Sequence, residues 1–254
     1  MSNSNLEIAE LEANLKYLQL QFLTENCQDL AASAAKDNQA HLLYLANLIQ
    51  GEADLRRDRA VARRIKEAKF PVEKTLEQFD WSWPKKINQL QVKNLFQLHF
   101  LKAKANVIFL GGVGIGKSHL STALAYQACL AGRSVLFCNA IDAVNTLIAA
   151  THTHQFDSSL KKFLKPDLLV LDELGYLPID KTGADVLFQI ISKRYERGSL
   201  IITSNRAYKY WSQIFNQDST LTAAILDRLL HRAETVLIEG KSYRGKDNPE
   251  DPVA

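Results

Sequence analysis

The segment from Gly111 to Ser118 constrains the fold of this chain more than any other feature. It reads GGVGIGKS and matches the pattern G-x-x-x-x-G-K-[ST]. The apolar run from Val107 to Leu110 comes directly before it, and the helical run HLSTALAYQACLAG follows. A strand, a glycine-rich loop and a helix in this order form the P-loop of nucleotide-binding α/β domains. The sequence therefore predicts an α/β domain built around this loop.

The predicted P-loop carries the groups that hold a triphosphate. Glycines let backbone N–H groups turn toward the phosphates, and the start of the following helix adds its positive dipole end. A lysine at position 117 would reach the β- and γ-phosphates, and a serine at 118 would bind magnesium. We expect ATP and Mg²⁺ as ligands, with the nucleotide held by Gly111, Gly112, Val113, Gly114, Ile115, Gly116, Lys117 and Ser118.

Downstream of about Lys104, short β-rich runs alternate with helical ones. Alternation of this kind builds a parallel sheet with helices on both faces. Five strands are predicted, at Val107–Leu110, Val135–Cys138, Leu168–Leu171, Leu200–Thr203 and Val236–Ile238.

Polar residues follow two of these strands, at the sheet edge where ligands bind in parallel sheets. Asp172 is predicted to hold the magnesium ion. Glu173 is either the general base that polarises the attacking water or a solvated loop carboxylate. Asn205 either orients that water or is a turn residue.

Two arginines lie four residues apart in the helical segment AAILDRLLHRAE. Arg228 or Arg232 could stabilise charge on the transferred phosphoryl group as an arginine finger donated by another subunit. The alternative is an exposed arginine paired with Asp227 or Glu234.

The N-terminal region has a different character. Two apolar series with helical spacing predict helices that each bury one stripe, and Asn38 is the predicted cap of the second helix. The series are Leu11, Leu15, Leu18 and Phe22, and then Leu42, Leu45, Ala46 and Ile49. Pro71 marks the end of the second helix. Periodicity is lost between Phe70 and Pro84, which indicates a linker near a domain boundary.

A basic stripe is predicted on the second helix. Between Arg56 and Lys69 there are seven basic and two acidic residues, which leaves five positive charges. Such a stripe contacts DNA phosphates without reading bases, or it is simply a solvated helix face. The candidate DNA-binding residues are Arg56, Arg59, Arg63, Arg64 and Lys66, with Lys161, Lys162 and Lys165 as a second candidate group.

The composition of the whole chain excludes few classes of function. A net charge of +3 argues for no particular partner. Three widely spaced cysteines predict reduced thiols rather than a metal site, and His152 and His154 are interpreted as loop residues. No membrane span or signal peptide is recognised in the sequence, so a cytoplasmic protein with no membrane partner is expected.

Six stretches together resemble one family, the IstB-type helper ATPases of insertion-sequence transposons, which are related to DnaC-type loaders of replicative helicases. They are KTLEQFDW, NVIFLGGVGIGKSHL, PDLLVLDELGYLP, RYERGSLIITSN, AILDRLLHRAE and GKSYRGK, within about Leu15 to Lys246. The resemblance implies an AAA+ P-loop ATPase with a five-stranded parallel sheet and a small all-α N-terminal domain. It also implies self-association with ATP sites between subunits, and binding of duplex DNA in support of a partner transposase.

The resemblance also gives roles to residues. Asn205 becomes sensor 1, Arg228 or Arg232 the arginine finger and Arg244 a sensor 2 candidate, while Phe79 and Trp81 either wall the adenine pocket or pack between domains. The predicted division is a helical DNA-binding domain at 1–70, a linker and pocket segment at 71–104, the ATPase at 105–245 and a tail at 246–254. A helicase loader, a small-molecule kinase and a non-catalytic ATP switch are the alternative functions.

Overall fold

The computed structural model describes residues 3–243, with side chains from residue 7 onward. The chain divides into two compact units, and the division falls between Arg63 and Arg64. This point lies inside a long helix, whereas the sequence predicts a domain boundary at residue 70. No helix within residues 3–243 is long and apolar enough to cross a membrane.

The first unit is helical. Its elements are α1 (Asn3–Tyr17), α2 (Gln21–Lys36) and most of α3 (His41–Ala68). A small core forms from Leu15, Leu23, Cys27 and Leu48. The buried carboxylate of Glu52 accepts a hydrogen bond from the backbone N–H of Phe22 at 2.9 Å, which ties the start of α2 to α3.

The apolar series predicted for these helices is wrong in detail. Leu11 and Leu18 are exposed, and the first series crosses a break between α1 and α2, where Gln19 adopts a left-handed conformation. In α3 the predicted stripe faces outward: Leu42 is 79% exposed, whereas Leu48 is only 6% exposed. These helices carry apolar residues on more than one side, so periodicity does not identify the packed side.

Asn38 does not cap α3, contrary to the prediction. It adopts a left-handed conformation after α2, and the N–H of Gln39 reaches back to the carbonyl of Ala34 at 2.9 Å. This is the geometry that ends a helix. The predicted end of α3 before Pro71 is confirmed, because the helix stops at Ala68.

The second unit contains the sheet. Its helices are α4 (Gln89–Leu95), α5 (His99–Lys102), α6 (Lys117–Leu130), α7 (Ala140–His152), α8 (Phe156–Leu164), α9 (Lys181–Arg194) and α10 (Ser219–Leu230), with a 3₁₀ helix at Tyr208–Gln213. Its strands are β1 (Asn106–Gly111), β2 (Val135–Asn139), β3 (Leu168–Leu174), β4 (Ser199–Ser204) and β5 (Ala233–Ile238). Each predicted strand falls within an observed one.

The five strands form a parallel sheet in the order β2-β3-β4-β1-β5. Strand β1 is therefore internal, and its carboxyl end opens into the P-loop between the ends of β4 and β5. The ends of β2 and β3 share this edge, because Asn139 is in register with Asp172. The parallel α/β sheet predicted from the sequence is confirmed.

Helices cover both faces of the sheet with apolar side chains. The amino edge of the sheet is held by Arg194, which is 1% exposed at the end of α9. Its guanidinium donates to five backbone carbonyl groups, those of Phe163, Leu164, Pro166, Asp167 and Ser199. Burial lowers the pKa of Arg194 to about 10. The group therefore remains charged at neutral pH and satisfies carbonyls at the end of α8, just before β3 and at the start of β4.

Candidate nucleotide-binding site

The P-loop joins the carboxyl end of β1 to the amino end of α6. Gly116 adopts a left-handed conformation with φ of 98°, and a side chain there would meet the Phe79 ring at 2.6 Å. Only glycine combines that backbone conformation with that close approach. Lys117 is buried, and its ammonium group donates to the carbonyl of Gly112 across the loop. The lysine therefore points back into the loop that it would serve.

Ser118 and Asp172 meet at this edge, as the sequence predicts for a shared magnesium site. The Ser118 hydroxyl donates to Oδ1 of Asp172 at 3.0 Å. The same oxygen accepts a hydrogen bond of 2.6 Å from the buried hydroxyl of Thr203, at the end of β4. A carboxylate and a hydroxyl oxygen suit Mg²⁺, which prefers oxygen ligands.

Asp172 and Glu173 both lie in a β-bulge near the end of β3. The pairing of β3 with β4 shifts between Leu171 and Leu174, and Glu173 takes a left-handed φ of 59°. Its backbone N–H donates to the Thr203 hydroxyl at 2.9 Å. As a result Asp172 is buried while Glu173 is exposed and lines the cavity beside the P-loop. Bulges commonly re-aim a side chain in this way.

Asn139, which the sequence analysis missed, binds the Glu173 side chain. Its amide nitrogen donates to Oε2 of Glu173 at 2.9 Å, and its own Oδ1 accepts from the N–H of Ile141 to cap α7. The signal is an asparagine directly after β2. Only the strand order, which places β2 next to β3, shows which carboxylate it contacts.

A cavity of about 650 Å³ lies over the P-loop. Lys117, Glu173, Thr203 and Asn205 supply polar groups to its lining. Aromatic and other apolar groups come from Phe79, Trp83, Pro84 and Tyr243. A cleft that combines an aromatic wall with convergent polar groups is typical of a small-ligand site.

His119 joins this wall to the P-loop helix. One ring nitrogen lies 2.9 Å from the carbonyl oxygen of Thr75, and the imidazole packs edge-on against Phe79 with ring centroids 5.4 Å apart. Burial lowers the pKa of His119, an effect that the Thr75 carbonyl partly offsets. The imidazole is therefore neutral at physiological pH and anchors the 75–79 segment.

Comparison with known proteins agrees with this geometry. The sequence model of the family described as IstB-like ATP binding protein matches residues 13–250. The chain belongs to the IstB-like ATP-binding family. One relative, named as an ATP-binding protein of insertion sequence IS21 from Pseudomonas aeruginosa, is 38% identical over 238 residues, covering 94% of this chain and 89% of the relative. Another, named for insertion sequence IS232 of Bacillus thuringiensis subsp. berliner, is 36% identical over 239 residues, covering 94% and 95%.

Solved structures resemble this IstB-like protein in fold. The DnaC helicase loader aligns with a TM-score of 0.54 at 20% identity, over 65% of this chain and 96% of that chain. DnaI aligns with a TM-score of 0.55 at 21% identity, over 65% and 90%. The predicted AAA+ P-loop fold preceded by N-terminal helices is confirmed.

Neither candidate arginine finger of this IstB-like protein lies at its own P-loop. Arg228 is half-buried on α10, donates to the carbonyl of Ala224 at 2.9 Å and lies 4.9 Å from the centroid of the Phe188 ring. Arg232 is exposed, and its ion pair at 3.6 Å is with Glu196, not with either predicted acid. Both precede β5, at the amino edge of the sheet opposite the P-loop.

The basic residues of α3 differ in their surroundings. Arg56, Arg59 and Arg63 are exposed in the first unit, where Arg56 pairs with Glu52 at 2.9 Å and Arg59 donates to Gln21. In the second unit Lys66 is exposed and Arg64 is half-buried, its guanidinium reaching toward the turn at Gly132.

Other predicted residues are placed as follows. The second basic group, Lys161, Lys162 and Lys165, is exposed at the end of α8. Phe79 lines the cavity, whereas Trp81 packs edge to face against Phe79, with ring centroids 4.9 Å apart, and is not among the described lining residues. Arg244 lies outside the described residues. Trp83 and Tyr243 take part in the wall instead, a pair that the sequence analysis missed because the two are 160 positions apart.

Proposed function

We propose that this protein is an ATP-dependent helper ATPase that assembles on duplex DNA and assists a transposase in insertion-sequence transposition. The observation that carries hydrolysis is the placement of Glu173. A carboxylate that a β-bulge aims into the P-loop cavity, with Asn205 at the same cavity, suits activation of a water molecule for attack on the γ-phosphate. An ATP switch would not need such a base.

In this proposal each polar group has a separate task. Lys117 binds the β- and γ-phosphates, and backbone N–H groups of the loop bind the other phosphate oxygens. Ser118 and Asp172 hold Mg²⁺, which neutralises phosphate charge when bound. Glu173 accepts the proton of the attacking water, and Asn205 orients that water. Asn139 fixes the direction of the Glu173 carboxylate through the 2.9 Å hydrogen bond.

The partner assignment rests on relatives. The two relatives described above are named for insertion sequences, which favours a transposase over a replicative helicase as the partner. The likeness to the DnaC helicase loader is at 20% identity and concerns the fold. The exposed basic residues of α3 support contact with DNA phosphates.

The deciding experiment is the steady-state rate of ATP hydrolysis with and without duplex DNA, with Lys117→Ala as the blank. We expect release of ADP and free phosphate above the blank and a faster rate with DNA. A phosphorylated small molecule as product would indicate a kinase instead. A rate equal to that of Lys117→Ala under both conditions would contradict the proposed activity.

A further inference from the structure

The last described residues lie directly against the P-loop. The backbone N–H of Tyr243 donates to the carbonyl of Gly114 at 2.7 Å. Gly114 adopts a left-handed conformation with φ of 73°, and the Ser242 hydroxyl fills the space that a side chain there would need. We call residues 241–243 the strap. Its fit against Gly114 leaves no room between strap and loop.

A second segment, distant in sequence, holds the strap in place. The indole N–H of Trp83 donates to the carbonyl of Lys241 at 3.0 Å. The Trp83 and Tyr243 rings pack edge to face, with centroids 5.3 Å apart and an interplanar angle of 79°. Lys86 and Glu239 add reciprocal backbone hydrogen bonds of 3.1 and 2.9 Å. Backbone hydrogen bonds therefore hold both segments of the aromatic pair: those between Lys86 and Glu239 on one side, and the bond from Tyr243 to Gly114 on the other.

Both rings line the P-loop cavity. If the triphosphate occupies the loop with its terminal phosphate toward Lys117 and Glu173, the nucleoside must extend toward the remaining lining. That lining includes the rings of Phe79, Trp83 and Tyr243, beside the polar side chains of Lys74, Gln78 and Asp80. Bases stack on aromatic side chains whatever their hydrogen-bonding pattern, since every base has a π-face.

We propose that Trp83 and Tyr243 recognise the base of the bound nucleotide by stacking, so that this aromatic pair is the specificity element separating nucleotides from simple polyphosphates. The inference rests on the proposed nucleotide binding at Gly111–Ser118. It assigns base binding to a pair of residues from the two ends of the second unit. Because Tyr243 also bonds to Gly114, the base and the phosphate loop contact one short segment.

Calorimetric titration with two ligands tests this assignment. Mg²⁺-ATP and Mg²⁺-tripolyphosphate carry similar phosphate chains, but only ATP has a base. Trp83→Ala and Tyr243→Ala should each weaken ATP binding about tenfold, in the range measured for loss of one base-stacking side chain, and leave tripolyphosphate binding within about twofold. Lys117→Ala should weaken both ligands.

Conservative and matched variants separate stacking from folding. Trp83→Phe and Tyr243→Phe keep a ring and should keep most of the ATP affinity. Tyr210→Ala is the matched control, because Tyr210 is 44% exposed, as Tyr243 is 45% exposed, but lies in the 3₁₀ helix. It should change neither affinity.

Several results would overturn the inference. Equal losses for ATP and tripolyphosphate in Trp83→Ala and Tyr243→Ala would show that the pair supports the loop rather than the base. Tighter ATP binding by Tyr243→Ala would show that the ring obstructs the site. Wild-type protein that binds both ligands equally would refute this inference alone, and wild-type protein that binds neither would refute the proposed function with it.

Discussion

Thr203 connects the two acidic residues of the candidate site through one hydroxyl group. It donates to the Asp172 carboxylate and accepts the N–H of Glu173, so it holds both ends of the β-bulge. The hydroxyl is fully buried. Removing it would take away the acceptor of the Glu173 N–H and one of the two hydroxyl donors, Thr203 and Ser118, of the buried Asp172 oxygen.

Replacing Thr203 with valine keeps the shape and removes both hydrogen bonds. We expect the free energy of unfolding to fall by about 1–3 kcal/mol, the usual cost of leaving buried polar groups unsatisfied. Urea denaturation followed by tryptophan fluorescence measures it, because Trp81, Trp83 and Trp211 all lie in the second unit. Thr203→Ser retains the hydroxyl and should lose no more than about 1 kcal/mol. An unchanged stability of Thr203→Val, with a loss confined to Thr203→Ser, would mean that the methyl group matters and the hydroxyl does not.

Glu173→Gln tests the general-base role at the same bulge. We expect the rate of ATP hydrolysis to fall by about 10²–10⁴-fold, the usual contribution of a positioned base. Nucleotide affinity should stay within about twofold, because Glu173 is not assigned to phosphate binding. Phosphate release under saturating ATP provides the rate. Asp185→Asn, an exposed change of the same kind on α9, serves as the control. Normal hydrolysis by Glu173→Gln would exclude this carboxylate as the base.

Among single residues, the sequence predicted those that belong to local patterns. Gly111 to Ser118 form one contiguous motif, and Asp172 and Glu173 end one apolar run. Asn139 and Thr203 were missed because their roles depend on which strands are neighbours. An isolated asparagine or threonine after a strand carries no such information.

At the scale of elements, the strands were easier to predict than the helix faces. The five strands of the sheet are short apolar runs with few alternative uses. The exposed stripe of α3, with Leu42, Leu45 and Ile49, shows the difficulty with helices. Apolar residues occur around much of that helix, and the packing of α1 and α2 selects Leu48 for burial. That selection is a tertiary effect and cannot be read from periodicity.

The basic stripe of α3 leads to a prediction about DNA binding that is independent of ATP hydrolysis. Arg63 is exposed on the same helix face as Arg56 and Arg59. Because successive residues of an α-helix are about 100° apart around its axis, Arg57 lies on a different face. Arg63→Ala should weaken binding to duplex DNA of any sequence and reduce the slope of log affinity against log salt concentration by about 0.9. Fluorescence anisotropy over a salt series gives both values.

Arg57→Ala is the matched control for that experiment. Arg57 is exposed on the same helix, and Asp54 neutralises it at 2.8 Å. Its loss should leave the salt slope unchanged. If the two variants lower affinity and slope equally, the helix contributes general positive charge and the stripe has no special role.

At the scale of the whole molecule, the two ends of the sheet carry complementary groups. The carboxyl edge presents the P-loop, and the amino edge presents Arg228 and Arg232. A chain with these groups on opposite edges suits head-to-tail assembly, in which one subunit's arginine reaches the next subunit's nucleotide.

Mixing variants tests that assembly. Glu173→Gln and the double variant Arg228→Ala/Arg232→Ala should each hydrolyse ATP slowly. In an equimolar mixture about one site in four would combine an intact glutamate with an intact neighbouring arginine, so hydrolysis should recover toward a quarter of the wild-type rate. The single variants Arg228→Ala and Arg232→Ala then identify the contributing residue. A mixture no faster than its components would contradict donation between subunits.

The left-handed backbone at Glu173 has a consequence for how such sequences change over time. A glutamate in this conformation carries a conformational strain that glycine would relieve. Selection on hydrolysis opposes that relief only while the carboxylate is used. Once an insertion sequence no longer needs the proposed helper ATPase, glycine or asparagine should appear at this position sooner than at Asp172, whose backbone is not left-handed. Among decaying copies of such insertion sequences, a substitution at position 173 should therefore be an early sign of lost ATP hydrolysis.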